Sequence, residues 1–127
     1  MAGESVVTLT IALNDPDQDI EEIDEDVRQL LRQLSELDEV EVASRVIDRK
    51  PPKGNKAIGG FLVGLLTTEV RKENLKKVFA FLSERLGNKP IKLKVKAPDG
   101  REIELEASSQ QEFDFAYQRA QDFLKGN

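Results

Sequence analysis

The chain has 127 residues, with 24 acidic and 19 basic side chains and a formal charge of −5. That is the length of one domain, enough to bury a core without metal or disulfide support. There is no cysteine and no histidine, which excludes disulfides, thiolate metal sites, cysteine nucleophiles and the usual histidine base or ligand.

The acidic balance argues against a nucleic-acid binder, which would show a basic face. The first residues, MAGESVVTLT, lack the basic start and apolar core of a signal peptide. The most apolar run, Ala57 to Leu66, is far shorter than the ~20 residues of a membrane span. A soluble, cytoplasmic protein is expected, without membrane or nucleic-acid partners.

Val7, Leu9, Ile11 and Leu13 alternate with Thr8, Thr10 and Ala12, the period of a strand. Val6 and Ala12 make its second face half-apolar, so this strand is expected inside the sheet. Ile20, Ile23, Val27, Leu30, Leu31, Leu34 and Leu37 recur at helical spacing and predict an amphipathic helix. The acidic residues between Asp17 and Asp26 crowd its first turns, where the helix dipole favours them. Asp15 to Asp19 has the alternating oxygens of a calcium loop. However, Ile20 stands where the loop needs glycine and Asp26 where it needs glutamate.

Val40, Val42, Val46 and Ile47 predict a second strand. Its alternation slips at Ser44-Arg45, as at a bulge or a sheet edge. Pro51-Pro52 stops it. Lys53-Gly54-Asn55-Lys56 follows, a basic glycine-containing loop with the composition of an anion contact but not the phosphate-loop pattern, since Phe61 follows Gly59-Gly60. Ile58 to Leu66 is ambiguous between helix and strand, and Gly59, Gly60 and Gly64 weaken both. A short, tightly packed helix is the expectation here. Leu75, Val78, Phe79, Leu82 and Leu86 predict the next helix, closed by Gly87 and Pro90. Leu31 and Phe79 are expected in the core.

Ile91, Leu93 and Val95 alternate with three lysines; Ile103, Leu105 and Ala107 alternate with three glutamates. Pro98-Asp99-Gly100 between them reads as a type I turn with a bulge. Closing it with Ala97 opposite Arg101 sets Lys96 against Glu102, Lys94 against Glu104 and Lys92 against Glu106. Val95 then meets Ile103. Each charge pair would contribute ~0.2–1 kcal/mol. Ser109 and Glu112 form a capping box. Phe113, Ala116, Tyr117, Ala120 and Leu124 predict the last helix.

The expected fold is α/β (α+β). It is a single domain over 1–127, with a four-stranded mixed sheet and helices mainly on one face. The element order is strand–helix–strand–helix–helix–strand–strand–helix. No carboxylate pair stands out for acid–base work, and the serines and threonines have no histidine base. An enzyme is not expected, and no cofactor is.

Several segments together resemble a known family. They are Leu37-Asp38-Glu39-Val40-Glu41-Val42, Pro52 to Lys56, the apolar Gly60 to Leu66, Leu75 to Leu86, Ile91 to Val95 with Asp99-Gly100, and the Ser108-to-Phe123 helix. The chain is similar to the effector-associated constant component of prokaryotic conflict systems, with a Gly-x-Lys loop at Gly54 to Lys56 as the best mark. Ala57 stands where the family often has glycine, and Phe81 and Leu82 near a common tryptophan. The resemblance implies a non-enzymatic adaptor, sensor or regulator that binds a partner effector such as a caspase-like or trypsin-like peptidase. It carries over Gly54 and Lys56 as binding positions. Lys53, Gly54, Asn55 and Lys56 are therefore the candidate partner- or anion-binding residues. The alternative is a small-ligand or nucleotide-sensing domain that uses this loop as its phosphate contact.

Overall fold

The computed structural model describes residues 6–13, 15–47, 57–58 and 61–125. In chain order the elements are β1 (Val6–Leu13), α1 (Ile20–Ser35), β2 (Val40–Ile47), β3 (Ala57–Ile58), β4 (Phe61–Arg71), α2 (Leu75–Leu86), β5 (Ile91–Lys96), β6 (Glu102–Ala107) and α3 (Gln110–Lys125). The sheet runs β2-β4-β1-β5-β6, and the two-residue β3 pairs with β4 beside this path.

β1 is central, as its two-sided composition predicts. Thr10 lies between Thr67 of β4 and Lys94 of β5. Val7, Leu9, Ile11 and Leu13 point to one side and are buried. Leu66 and Val70 of β4, Leu93 and Val95 of β5 and Leu105 of β6 join them. Val27, Leu30 and Leu34 of α1, Val78, Phe79 and Leu82 of α2, and Phe113, Ala116 and Ala120 of α3 complete this one core. The helices therefore cover a single face of the sheet, as expected. Phe79 lies in the core, but Leu31 is only half-buried and stands outside it. The core-facing stripe of α1 runs through Val27, Leu30 and Leu34, one residue away from Leu31 around the helix.

Two expectations are corrected. Among the described residues the sheet has five strands in its main path plus β3, rather than four, and every pairing is antiparallel rather than mixed. Both changes follow from the stretch expected to be a short helix, Ile58 to Leu66. Within it, Ile58 instead ends β3 and Phe61 to Leu66 form the first half of β4. β4 continues through Thr67, Thr68, Glu69 and Val70, where burial alternates strictly. The β-branched threonines favour the pleated conformation. Gly64 adopts φ 84°, which does not fit a helix interior. A Cβ at Gly64 would lie 2.7 Å from the Leu13 carbonyl oxygen and 3.4 Å from Ile23 of α1. The missing side chain thus lets β4, β1 and α1 close on one another.

β2 is an edge strand with register shifts at Val40/Val42 and at Arg45/Ile47, in the region where the alternation of its sequence slips. The second shift follows Arg45, which faces α1 and forms an ion pair with the buried carboxylate of Asp24. Asp24 also lies 3.4 Å from Arg28. A second staple joins α1 to the α2–β5 connection, where Lys89 donates to Asp26 at 2.6 Å and Gln18 donates to it at 2.9 Å. Burial pushes the Asp26 carboxyl up, but the bonds from Lys89 and Gln18 and the charges of Lys89 and Arg85 outweigh it. The carboxyl is held below its ordinary range.

The β5–β6 hairpin has the register read from its sequence: Lys92 opposite Glu106, Lys94 opposite Glu104, Lys96 opposite Glu102, and Val95 opposite Ile103. Ala97 and Arg101 close the turn at 2.8 Å, and Gly100 takes φ 97°. Arg101 also donates to Asp99 at 2.7 Å and stacks 4.8 Å over the Phe123 ring, tying the turn to α3. At the start of α3, Ser109 caps the Glu112 amide at 3.1 Å, while the Glu112 carboxylate reaches back to the Ser108 amide at 2.7 Å.

The two glycines with positive φ separate two costs. Gly100→Ala meets no atom within 4 Å, so only the left-handed backbone opposes it, at about 1–2 kcal/mol. Gly64→Ala adds a clash with backbone and is expected to cost roughly 3 kcal/mol or more. Urea unfolding of both variants measures the difference, and equal losses would mean that the closeness of β4 to Leu13 is immaterial. For the second staple, Lys89→Met should raise the Asp26 pKa, readable by NMR titration of the side-chain carboxyl. A depressed pKa stabilises the fold above the unfolded value, and that contribution fades as pH falls through the folded one. The variant should therefore be about 1 kcal/mol less stable near neutral pH, with the gap closing in acid. A pH-independent gap would assign the loss to packing.

Candidate functional site: the uncovered sheet face

Because side chains alternate across a strand, the residues between the core positions line the other face. Among the described residues no helix covers it. Thr8, Thr10 and Ala12 of β1 form its middle, with Leu65 and Thr67 of β4 beside them, all half-buried. The Ser44 and Thr67 hydroxyls meet at 3.3 Å toward the β2 edge, where Val42 is 50 % exposed. On the other flank stand Lys92, Lys94 and Lys96 in one row, then Glu102, Glu104 and Glu106 in the next.

A concavity of about 440 Å³ opens between these rows and the middle of the face. Thr10, Ala12 and Leu65 lie at its floor, with Lys92 and Lys94 beside them and Glu104 and Glu106 beyond. The two ion pairs along it, Lys92–Glu106 and Lys94–Glu104, are each 3.9 Å long and largely exposed. Pairs of this kind contribute at most ~1 kcal/mol, so they hold the lysine side chains only weakly. The floor is small and weakly polar, and along the rim a positive row on β5 stands next to the floor with a balancing negative row on β6 outside it.

The acidic end of α1 is a second concavity, of about 360 Å³, lined by Gln18, Asp19, Glu21, Glu22, Glu25 and Asp26. Four of its carboxylates are engaged locally. Asp19 and Glu22 form a reciprocal capping box at 2.8 and 3.1 Å, Glu25 pairs with Arg28 at 2.9 Å, and Asp26 is held by Lys89 and Gln18. Among the described residues no group of three or more acidic side chains is placed to hold a metal ion. The acidic start is the helix terminus that its sequence implies.

The four candidate residues read from the sequence, Lys53, Gly54, Asn55 and Lys56, lie outside the described residues. The sheet face was not singled out by sequence reasoning, which used the Lys/Glu ladder only to set the register of the hairpin. The signal for it was present in the half-apolar second face of β1, Thr8 to Ala12, but its meaning depends on all helices lying on the opposite side.

No helix among the described residues is long and apolar enough to cross a membrane. Comparison with curated proteins finds no match. Among solved structures the chain resembles a phage SAM lyase in complex with S-methyl-5'-thioadenosine. The two share 14% identity over 87% of this chain and 94% of that one, at a TM-score of 0.39, a likeness too distant to carry an argument. The sequence model of Effector Associated Constant Component 1 matches residues 17–121. That span runs from the acidic start of α1 through nearly all of α3, and the chain belongs to the Effector Associated Constant Component 1 family.

Proposed function

We propose that this chain is a non-enzymatic adaptor or sensor of a prokaryotic conflict system, which binds and regulates an effector such as a caspase-like or trypsin-like peptidase. The observation that carries this reading is membership of an effector-associated family across residues 17–121. Two features support it. The sequence has neither cysteine nor histidine to serve as nucleophile or base. The fold presents a broad sheet face on a rigid core, a platform suited to holding a partner.

The test is co-expression with a candidate caspase-like or trypsin-like peptidase from the same genome. A stable complex and a change in peptide hydrolysis on complex formation are expected. Peptidase activity indifferent to the chain, with no complex formed, would refute the proposal. The loop residues implied by the family resemblance enter the same assay. Lys56→Glu should keep stability within about 0.5 kcal/mol of wild type, as surface changes do, and lose effector capture. Undiminished capture would remove Lys53 to Lys56 from the contact.

A further inference from the structure

We propose that the uncovered sheet face seats an amphipathic helix of the effector, one that carries carboxylates along one flank. This deepens the effector-binding reading above and rests on it. The helix would lie along β1, its apolar stripe on Thr10, Ala12 and Leu65 and its acidic flank on Lys92, Lys94 and Lys96.

Three dimensions agree. A helix is about 10 Å across, and strands lie about 4.8 Å apart. One helix centred over β1 therefore reaches β4 on one side and β5 on the other, the two neighbours that β1 has. The three lysines alternate along β5 on one face, so their attachment points repeat every ~6.8 Å. Carboxylates at i, i+4 and i+8 of a helix repeat every ~6 Å, which lets each meet one lysine within the reach of its flexible stem. The floor offers a methyl at Ala12, the branched side chain of Leu65 and the small hydroxyl of Thr10, low enough for a helix to settle into the concavity of about 440 Å³.

Charge sets where the helix sits across the sheet. The lysine row lies one strand from β1, and the glutamate row of β6 lies one strand further out. An acidic flank is attracted at β5 and repelled at β6, so the pair of rows acts as a positioning rail. The long 3.9 Å contacts to Glu104 and Glu106 leave the lysines able to share their charge with a second carboxylate. A second copy of this chain fits less well. Its glutamate row reaches this lysine row only through a two-fold axis between β5 and β6. That arrangement overlaps just those two strands, roughly 200 Å² of sheet, against the ~800 Å² per partner of a stable interface.

The first test uses the whole chain and a synthetic helix of about 18 residues with a Leu/Ala stripe and glutamate at every fourth position of one flank. A control peptide carries lysine at those positions. In an NMR titration the glutamate peptide should shift the amides of Thr8, Thr10, Ala12, Leu65 and Thr67. Lys92→Glu/Lys94→Glu should weaken it by about tenfold or more, and added salt should weaken it too, as for an exposed electrostatic contact. Should the double variant not fold, Lys94→Gln reads the same effect at smaller amplitude. Absence of shifts on this face at millimolar peptide, or equal binding of the lysine control, would overturn the proposal. The second test is effector capture by Lys92→Glu/Lys94→Glu. Lost capture, restored by acidic-to-basic changes in the effector's helix, supports the seat. Capture equal to wild type removes the seat but leaves effector binding intact. Failure of wild type to capture the effector would instead sink the effector-binding reading, and the peptide titration would still judge the face.

Discussion

The structure depends on a single alternation, that of β1. Val7, Leu9, Ile11 and Leu13 all point to one side of the sheet and are at most 5 % exposed. Each fully buried aliphatic side chain contributes about 1.5–3 kcal/mol relative to exposure, so this strand draws α1, α2 and α3 to its own apolar side. β1 is bonded on both edges, to β4 and to β5, and any shift of it by one residue would turn the core outward. The one-sided helix layer follows from this, and with it a second face lined by threonine, alanine and charged residues.

Polar contacts then fix how α1 sits on that layer. Asp24 is a buried carboxylate in the helix, paired with Arg45 of the edge strand. A buried pair of this kind adds little net stability over an apolar replacement, but loss of one partner leaves a charge stranded. Its effect is directional, since it ties one helix face to one strand. β2 departs from regular pairing on either side of the stretch from Val42 to Arg45. Gly64 acts on the same helix from beneath, where the absent side chain admits Ile23.

Elements whose signal is local were legible in the sequence. The β5–β6 register follows from the Pro98-Asp99-Gly100 turn and the match of lysines to glutamates, and every pair sits as that logic requires. The α1 stripe was equally clear, except that Leu31 falls on the shoulder of the helix rather than beneath it. The stretch from Ile58 to Leu66 was misread because apolar residues on consecutive positions erase the period that separates strand from helix. The decisive residues lay further on, at Thr67 to Val70, where alternation resumes. The family was legible from its loop and its order of elements, but the sheet face was not. A face becomes a candidate site only when no element covers it, and that depends on where three separate helices pack.

The position of β1 in the sheet also constrains how the chain can be made. Leu9 pairs with Thr68 on one side and with Val95 on the other. On a ribosome, which delivers the chain from its start, β1 emerges long before either partner exists. The hairpin of β5 and β6 and the helix of α1 can form from neighbouring residues alone, whereas the central strand cannot complete either ladder until distant segments have been synthesised. Its apolar row must meanwhile be sheltered by transient collapse or by a chaperone, because long-range strand pairing is slow and leaves such surfaces open to misassociation. The sequence that anchors the finished fold is therefore the part of the nascent chain with most need of protection.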